Sequence, residues 1–271
     1  MMPEAAVPDI ATALPAGEPL AVEPRALAAM RRGERPAGGD SRQFEMIGGA
    51  AIIPVVGPIV AGDGGALAEM GIVTAIDRLR AAVQAAAADG EVNAIIIAVD
   101  SPGGTTQNLF NATEAIRAAR QVKRTAAVVT GSAYSAAYAL AAAAGDIVLS
   151  SETVGAGSIG TIVIHANMTG ALDQAGIEVT EIVAGPRKAD LSPNRALSDR
   201  GRGTLQALVD RTQRLLLDDI ALSRPSLGRD GARATEARTF DGSDAIRAGL
   251  ADALDLPETV IQLLNEEGNH P

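Results

Sequence analysis

The sequence contains no cysteine and no tryptophan, and its only aromatic residues are three Phe and two Tyr among 271 residues. The absence of cysteine excludes disulfide bonds, thiolate metal sites and a cysteine nucleophile. Basic residues are outnumbered, because 33 acidic side chains stand against 23 basic ones and give a net charge of −10. Nucleic-acid binding needs basic groups for the phosphates and aromatic rings for the bases. We therefore expect protein partners, and no nucleic acid, metal or cofactor.

Side chains that could accept a proton near neutral pH are also scarce. The sequence has two histidines, His165 and His270, and two lysines, Lys123 and Lys188, so the remaining 21 of its 23 basic residues are arginine. Arginine stays protonated at any working pH and cannot serve as a base. A catalytic base would have to be a carboxylate, a histidine, or a lysine whose pKa is lowered by burial.

Long apolar runs are missing as well. No stretch reaches the roughly 18 to 20 consecutive apolar residues that a membrane-spanning helix needs. The first 19 residues carry Glu4, Asp9 and Glu18 and no basic residue, which is unlike a secretion signal. We expect a cytoplasmic protein without a membrane anchor.

The pattern of the chain changes at Phe44. Residues 1–43 are rich in Pro, Gly, Ala and Arg and predict a partly disordered N-terminal arm. Beyond them, short β-branched runs alternate with Ala-rich segments of helical periodicity, which is typical of an α/β fold. We expect one folded domain over residues 44–256 and a C-terminal helix and tail over residues 257–271. The predicted strands are residues 50–56, 92–100, 125–130, 147–150, 159–165, 178–184 and a short one from Thr239. The predicted helices are residues 74–88, 107–120, 168–175, 201–223, one that opens at Ser135 and two that begin after Ser243 and Pro257.

Two turns that follow strands carry residues that could bind a ligand or take part in catalysis. The first is Asp100-Ser101-Pro102-Gly103-Gly104, and ligands of open α/β folds bind at such strand ends. The alternative is a plain turn that needs positive φ. In the second, Thr130 to Tyr138, small residues follow Ser135, whose hydroxyl would lie at a helix N-terminus that favours developing negative charge. The alternative is that Ser132 or Ser135 merely caps the helix.

Two later segments add to this set. Gly155-Ala156-Gly157-Ser158-Ile159-Gly160 is a glycine-rich approach to a predicted strand. Ala184-Gly185-Pro186-Arg187-Lys188-Ala189-Asp190 places one of the two lysines in a proline-bearing loop. Taken alone, Lys188 could be no more than a solvated loop cation.

The order of these four elements resembles the signal peptide peptidase A family of serine–lysine peptidases, and within it the phage prohead protease or minor capsid protein C group. The resemblance covers nearly all of residues 17–256, and it rests on order and spacing more than on any single motif. It implies a ClpP/crotonase-type fold, a repeated ββα-type spiral with a mostly parallel sheet. Further stretches that carry the likeness are residues 17–24, 53–57, 165–167, 171–179 and 240–252.

The resemblance also implies roles for individual residues. Ser135 matches the nucleophile and Lys188 the general base. Gly103 and the backbone N–H of Ala136 match the oxyanion hole, with Gly104 in support, and Ser158 matches a serine that lies near the lysine. Membrane-anchored members usually have Ser-Gly-Gly-Tyr-Tyr where this chain has Ser135-Ala136-Ala137-Tyr138-Ala139. The difference weakens a signal-peptide role more than a catalytic one, because the oxyanion donor is a backbone group.

A lysine base needs a particular environment. An ordinary lysine has a pKa of about 10.4, and lowering it to about 7 requires roughly 4 to 5 kcal/mol of preference for the neutral form. Burial beside apolar groups and hydroxyls supplies that preference, whereas a close carboxylate opposes it. We therefore expect Asp190 to point away from Lys188. His165 is the alternative base, 30 residues beyond Ser135, although a strand-end histidine with satisfied hydrogen bonds is the simpler interpretation.

The resemblance implies a serine endopeptidase that cleaves scaffold and other head proteins during phage or prophage capsid maturation, in the host cytoplasm and within the procapsid. It further implies a homo-oligomeric ring, with residues 201–223 as a candidate contact, and scaffold, capsid or portal proteins as substrates. Because the chain ends at residue 271, we expect any scaffold to be a separate protein. The alternatives are a soluble bacterial peptidase that degrades signal peptides or other peptides, and a non-catalytic capsid structural protein. An acyl-CoA enzyme of the crotonase type is disfavoured because it has no need of a Ser135 and Lys188 pair.

Overall fold

The computed structural model describes residues 20–22 and 44–268. Apart from residues 20–22, the predicted arm lies outside the described residues. The strands are β1 (Leu20–Val22), β2 (Glu45–Ile47), β3 (Ala50–Val56), β4 (Ile59–Val60), β5 (Thr74–Ala75), β6 (Ala94–Ser101), β7 (Gly103–Thr105), β8 (Arg124–Tyr134), β9 (Asp146–Leu149), β10 (Gly155–Gly157), β11 (Thr239–Asp241) and β12 (Ala253–Leu254). The helices are α1 (Gly65–Glu69), α2 (Ile76–Ala88), α3 (Leu109–Ala119), α4 (Ala136–Ala144), α5 (Thr169–Gln174), α6 (Asp199–Ser223), α7 (Gly228–Ala234), α8 (Gly242–Arg247) and α9 (Pro257–Gly268).

The larger sheet is mostly parallel, as predicted. Its strands follow the order β11-β10-β8-β6-β3-β2, with β9 beside β8 and β12 beside β9. The pairs β3–β6, β6–β8, β8–β9, β8–β10 and β9–β12 are parallel, and β2 and β11 add antiparallel edges. Strand β6 begins Ala-Ile-Ile-Ile-Ala-Val and is buried along most of its length, as expected of a central parallel strand covered on both faces.

A smaller sheet has the strand order β1-β7-β4-β5, and two of its strands, β4 and β7, directly follow strands of the larger sheet. Strand β3 is followed by β4 and β5 and then by α2, and strand β6 is followed by β7 and then by α3. These are the repeated ββα-type units that were predicted. Pro102 separates β6 from β7. The segment that was predicted as a single turn, Asp100 to Gly104, is therefore where the chain passes from the larger sheet to the smaller one.

Alanine and the branched aliphatic residues build the core. Helices α2, α3 and α4 cover one face of the larger sheet, and α6 packs onto α4. Every residue of α4 is buried, and seven of its nine residues are alanine, whose small side chain allows a helix to lie close to a sheet. Helix α9 covers the opposite face with Val260 and Leu264. The low aromatic content therefore goes with close packing of small residues.

Two predicted strands are wrong. Residues 159–165 and 178–184 form no strand, and only Ile162 takes part in an isolated bridge. Burial does alternate from Thr161 to His165, which explains why the sequence pattern suggested a strand. A ladder also needs a partner of matching register, which a local pattern cannot reveal. The whole stretch between β10 and α6 is consequently irregular apart from α5.

Candidate active site

Ser135 lies between β8 and α4, and its backbone has an unusual conformation. Its φ is 59° and its ψ is −117°, a combination that an L residue adopts only under constraint. Such a conformation costs of order 1–3 kcal/mol and is concentrated at functional sites. The side chain makes no capping hydrogen bond to α4. The interpretation of Ser135 as a simple helix cap is therefore wrong.

The surroundings of Ser135 fix this conformation. Residues Ser132 to Tyr134 of β8 pair in parallel with β10, where Tyr134 is opposite Gly157. The N–H of Ser135 then donates to the carbonyl of Gly157 at 2.8 Å, and its hydroxyl donates to the carbonyl of Gly160 at 3.2 Å. The residue is 1% exposed. The hydroxyl is thus held at the start of a buried helix by bonds to two glycines.

The first turn of α4 offers backbone N–H groups beside this hydroxyl. The helix begins at Ala136, and its first three N–H groups precede the first helical bond, in which Ala139 donates to the carbonyl of Ser135. A helix N-terminus of this kind stabilises negative charge. The predicted role of the Ala136 N–H in an oxyanion hole therefore has a suitable local structure.

The Gly103 segment lies next to the same helix. Ser101 at the end of β6 pairs with Ala133, and β7 packs against α4. Gly103 has a φ of 93°, and its N–H donates to the hydroxyl of Ser101 at 3.2 Å. A Cβ at Gly104 would stand 2.0 Å from the carbonyl oxygen of Ile59, so only glycine fits there. Gly103 thus has the positive φ that the plain-turn alternative requires, and its match to the oxyanion hole stays a prediction.

Ser101 is a supporting residue that the sequence analysis did not single out. It is fully buried, and its hydroxyl donates to the carbonyl of Gly57 at 2.6 Å while it accepts from Gly103. It thereby sets the position of the Gly103 N–H. The available signal was a serine immediately before Pro-Gly-Gly at the end of a buried strand.

Ser158 lies one residue beyond the glycine that holds Ser135. It is 6% exposed, has a φ of 52°, and donates its backbone N–H to the carbonyl of Arg238 at 2.8 Å. Two buried serines with positive φ, Ser135 and Ser158, therefore follow the paired ends of β8 and β10. This pairing places Ser158 near Ser135, whereas its expected closeness to Lys188 stays a prediction.

Lys188 has quite different surroundings. It lies on an exposed turn, and within residues 20–22 and 44–268 no hydrogen bond or ion pair joins it to Ser135. The carboxylate of Asp190 binds Arg200 at 2.5 Å and Arg187 at 3.5 Å, as expected if it points away from Lys188. The bonds from Arg200 lower the pKa of Asp190 from its ordinary value of 3.8. Ser135, Ala136, Gly103 and Ser158 thus lie on elements that pack or pair with one another, whereas Lys188 lies on an exposed loop.

The segment that carries Lys188 exposes an unusual amount of apolar surface. Ile182 is 94% exposed, although it is a large aliphatic side chain in an otherwise well-packed protein. Large contiguous apolar patches are typical of contact surfaces. We call this segment, residues 161–191, the apolar arm; its exposed apolar side chains are Ile162, Ile164, Met168, Ile177, Val179, Ile182, Val183 and Leu191.

His165 belongs to the apolar arm and is half-buried. Its Nε2 lies 3.2 Å from the carbonyl oxygen of Ser192, and it makes no hydrogen bond to Ser135 among the described residues. The structure thus agrees with the simpler interpretation, a histidine with a satisfied hydrogen bond.

A cleft of about 250 Å³ opens beside the nucleophile. Gly160, whose carbonyl accepts the Ser135 hydroxyl, lies in its wall. The Oε1 atom of Gln213 is buried there and has no hydrogen-bond partner in the described part of the chain. Gly160 therefore connects the wall of the cleft with the Ser135 hydroxyl. Its lining residues are Ile159, Gly160, Thr161, Val209, Asp210, Gln213, Arg233, Glu236 and Ala237.

The sequence is similar to that of a peptidase family and to those of two phage proteins. Residues 117–270 match the sequence profile of peptidase family S49. The chain is 35% identical over 225 residues to the head-tail preconnector protein GP5 of Enterobacteria phage P21, an alignment that covers 83% of this chain and 44% of that protein. It is 33% identical over 214 residues to the capsid assembly protease C of Escherichia phage lambda, which covers 79% of this chain and 48% of that protein. The chain thus spans about half the length of these two relatives.

Among solved structures, an enoyl-CoA hydratase from Mycobacterium avium subsp. paratuberculosis K-10 aligns with 88% of this chain and 81% of its own, at 14% identity and a TM-score of 0.44. In residues 20–22 and 44–268, every helix is too short or too polar to cross a membrane.

Proposed function

The chain belongs to peptidase family S49, and we propose that it is a serine endopeptidase that uses Ser135 as nucleophile and Lys188 as general base to process phage head proteins. The conformation of Ser135 carries this proposal. A buried serine with a φ of 59°, at a strand-to-helix turn and without a capping role, has the properties of an activated nucleophile. Strained backbone of this kind is concentrated at functional sites, and at Ser135 it coincides with burial and with a helix N-terminus.

Catalysis would begin at the Ser135 hydroxyl. As its oxygen attacks a peptide carbonyl carbon, a neutral Lys188 takes the proton, and the carbonyl oxygen becomes negatively charged. The N–H groups of Gly103 and Ala136 would stabilise this oxyanion. Gly103 now donates to Ser101 at 3.2 Å, a long bond that a charged oxygen can replace because charge-assisted bonds are stronger. The lysine then protonates the leaving amine, and water hydrolyses the acyl-enzyme.

The base would come from a second copy of the chain. Lys188 is exposed in its own chain, whereas a lysine base must be buried to lose its proton at neutral pH. The apolar arm around it has the exposed surface that docking onto another copy would cover. Repeated head-to-tail contacts of this kind close into a ring. Docking would thus bury Lys188 and bring it to the Ser135 of the neighbour.

The substrates are proposed from the relatives. One is named a capsid assembly protease and another a head-tail preconnector protein, and both belong to phages. We therefore assign scaffold, capsid or portal proteins of a phage head as substrates, and the host cytoplasm and the procapsid as the place of action. Ser158 would position the acyl-enzyme, and the cleft that Gln213 lines would position the substrate.

Incubation with a phage scaffold protein tests the proposal, with cleavage measured by mass spectrometry. We expect discrete cleavage by the unsubstituted protein and a loss of at least about 10³-fold in the rate for Ser135→Ala. The matched control is Ser132→Ala, because Ser132 lies in the same turn and bonds to Asp100. It should retain activity. Equal cleavage by Ser135→Ala would refute the assignment, and intact head assembly with no processing by any form would favour a structural capsid protein.

A further inference from the structure

Strand β1 occupies the edge of the smaller sheet beside the candidate active site. It pairs antiparallel with β7, so that Leu20 is opposite Thr105, Ala21 opposite Gly104 and Val22 opposite Gly103. On its other side β7 pairs with β4. Without β1, strand β7 would present a free edge at Gly103, and a free edge binds extended peptides by adding a strand.

The direction of β1 matches that of a substrate. In acyl transfer, the carbonyl under attack lies at the oxyanion donors, and the residues before it in sequence extend away from them. Strand β1 runs towards Gly103 and ends there with Val22, while Leu20 lies two residues further from the donor. A segment bound in the opposite direction would present its residues in the wrong order. Leu20, Ala21 and Val22 therefore have the order of the three residues that precede a scissile bond.

We propose that the β7 edge is the subsite for the acyl side of an extended peptide, and that Leu20–Val22 occupies it as an intramolecular substrate. This inference rests on the proposed function through the role of Gly103. A tethered segment has an effective concentration of about millimolar order, so β1 competes with every peptide that enters the site.

Cleavage of this segment balances as an ordinary hydrolysis. The Ser135 oxygen bonds to the carbonyl carbon of Val22, the C–N bond that follows Val22 breaks, and the amine leaves with the proton that Ser135 gave up. Water then hydrolyses the ester, which restores the hydroxyl and leaves a carboxylate on Val22. Release of the carboxylate product would free the β7 edge for other substrates.

Whether β1 occupies the β7 edge can be tested without catalysis in the 271-residue chain that carries Ser135→Ala. The double substitution Ala21→Pro with Val22→Pro removes both backbone N–H groups, and because alternate residues of an edge strand face opposite sides, one of them faces β7. The matched control, Ala21→Thr with Val22→Thr, keeps both N–H groups. Hydrogen exchange is measured at Gly103–Thr105, with Ile59 and Val60 of β4 as internal reference.

We expect the amides of β7 that face β1 to exchange at least about tenfold faster in the proline form than in the threonine form. A synthetic peptide with the sequence of residues 17–24 should restore their protection in the proline form. Equal exchange in the two forms would show that β1 does not cover the edge. Faster exchange without protection by the peptide would show that the edge is not a peptide subsite, and either result overturns the inference. Because this protein is inactive by design, the outcome is independent of the cleavage assay that tests the peptidase itself.

Discussion

The surroundings of Ser135 and of Lys188 differ in almost every physical respect. Ser135 is 1% exposed, held by two hydrogen bonds to glycine carbonyls and followed by a helix that is buried throughout. Lys188 lies in the apolar arm, which has little regular structure and in which Ile182 is 94% exposed. The Ser135 turn is thus packed within a single chain, whereas the Lys188 segment is exposed. The following predictions test this difference and the proposal that a second copy of the chain covers the exposed segment.

The largest expected effect is on catalysis by Lys188. Lys188→Ala should lower the rate of peptide cleavage by at least about 10³-fold, and Lys188→Arg should not restore it because arginine keeps its proton. The melting temperature of the separated chain should not change, since the side chain is exposed. Cleavage assays and thermal unfolding measure the two effects.

The other lysine provides the control. Lys123 donates to the carbonyls of Asp89 and Val92 at 3.0 and 2.7 Å. Lys123→Ala should therefore lower stability and leave the cleavage rate of the folded protein intact. Full activity of Lys188→Ala, or loss of activity in both variants to the same degree, would contradict the assigned base.

The next effect concerns the apolar arm. Ile182→Asp places a charge at the most exposed large aliphatic side chain within residues 44–265, which is 94% exposed. Because burying an unpaired charge is costly, it should dissociate the proposed assembly and abolish activity together. Sedimentation velocity measures the size of the assembly. Val122→Asp is the matched control, since Val122 is 66% exposed but lies outside the arm. If the Ile182→Asp protein keeps both the assembly size and the activity of the unsubstituted protein, the apolar arm is not part of the interface.

Within the single chain, the largest expected effect on stability comes from the buried ion pair that joins α3 and α6. Asp219 of α6 accepts from Thr113 and from Arg117 of α3, both at 2.8 Å. Asp219→Ala should cost about 2–4 kcal/mol of unfolding free energy. It removes a buried acceptor that the two donors share and leaves them only their bonds to the Phe110 carbonyl and the Ser223 hydroxyl. Asp218, next in sequence, pairs with Arg229 at the surface, and Asp218→Ala should cost about 0–1 kcal/mol. Chemical denaturation compares the two, and equal costs would contradict the structure.

The smallest effect is the titration of Asp190 in the loop of Lys188. Its pKa is lowered by Arg200, so its favourable interaction is present above pH 3.8 and is lost only as the pH falls below that value. Arg200→Gln should move the pKa of Asp190 up towards its ordinary value. A pH titration followed by NMR measures this shift. No change in the pKa would mean that the ion pair does not hold the loop.

Much of the fold could be predicted because its signals are local. The buried β-branched run of β6 and the apolar periodicity of α2 and α6 gave elements close to those observed. The position of Ser135 at the start of α4 was predicted for the same reason, since a strand, a small-residue turn and an alanine-rich helix follow one another directly. Its positive φ could not be predicted, because it depends on pairing between β8 and β10.

The remaining features depend on partners that are distant in sequence or belong to another molecule. Strands β4, β7 and β10 have only two or three residues, too few to show a period. The strands predicted at 159–165 and 178–184 have the alternation or composition of a strand but form no ladder in the described chain. Burial of Lys188, which its proposed chemistry requires, is likewise not a property of the single chain.

Mixing two inactive variants tests the central claim most directly. Ser135→Ala and Lys188→Ala proteins are combined in equal amounts, with exchange of copies verified by differently labelled chains, and peptide cleavage is measured before and after mixing. If Lys188 serves the Ser135 of a neighbour, random assembly leaves both side chains intact in about a quarter of the sites, and activity should return to about a quarter of the unsubstituted level. No activity above that of the separate variants, despite proven exchange, would contradict the account and place the base of Ser135 in its own chain.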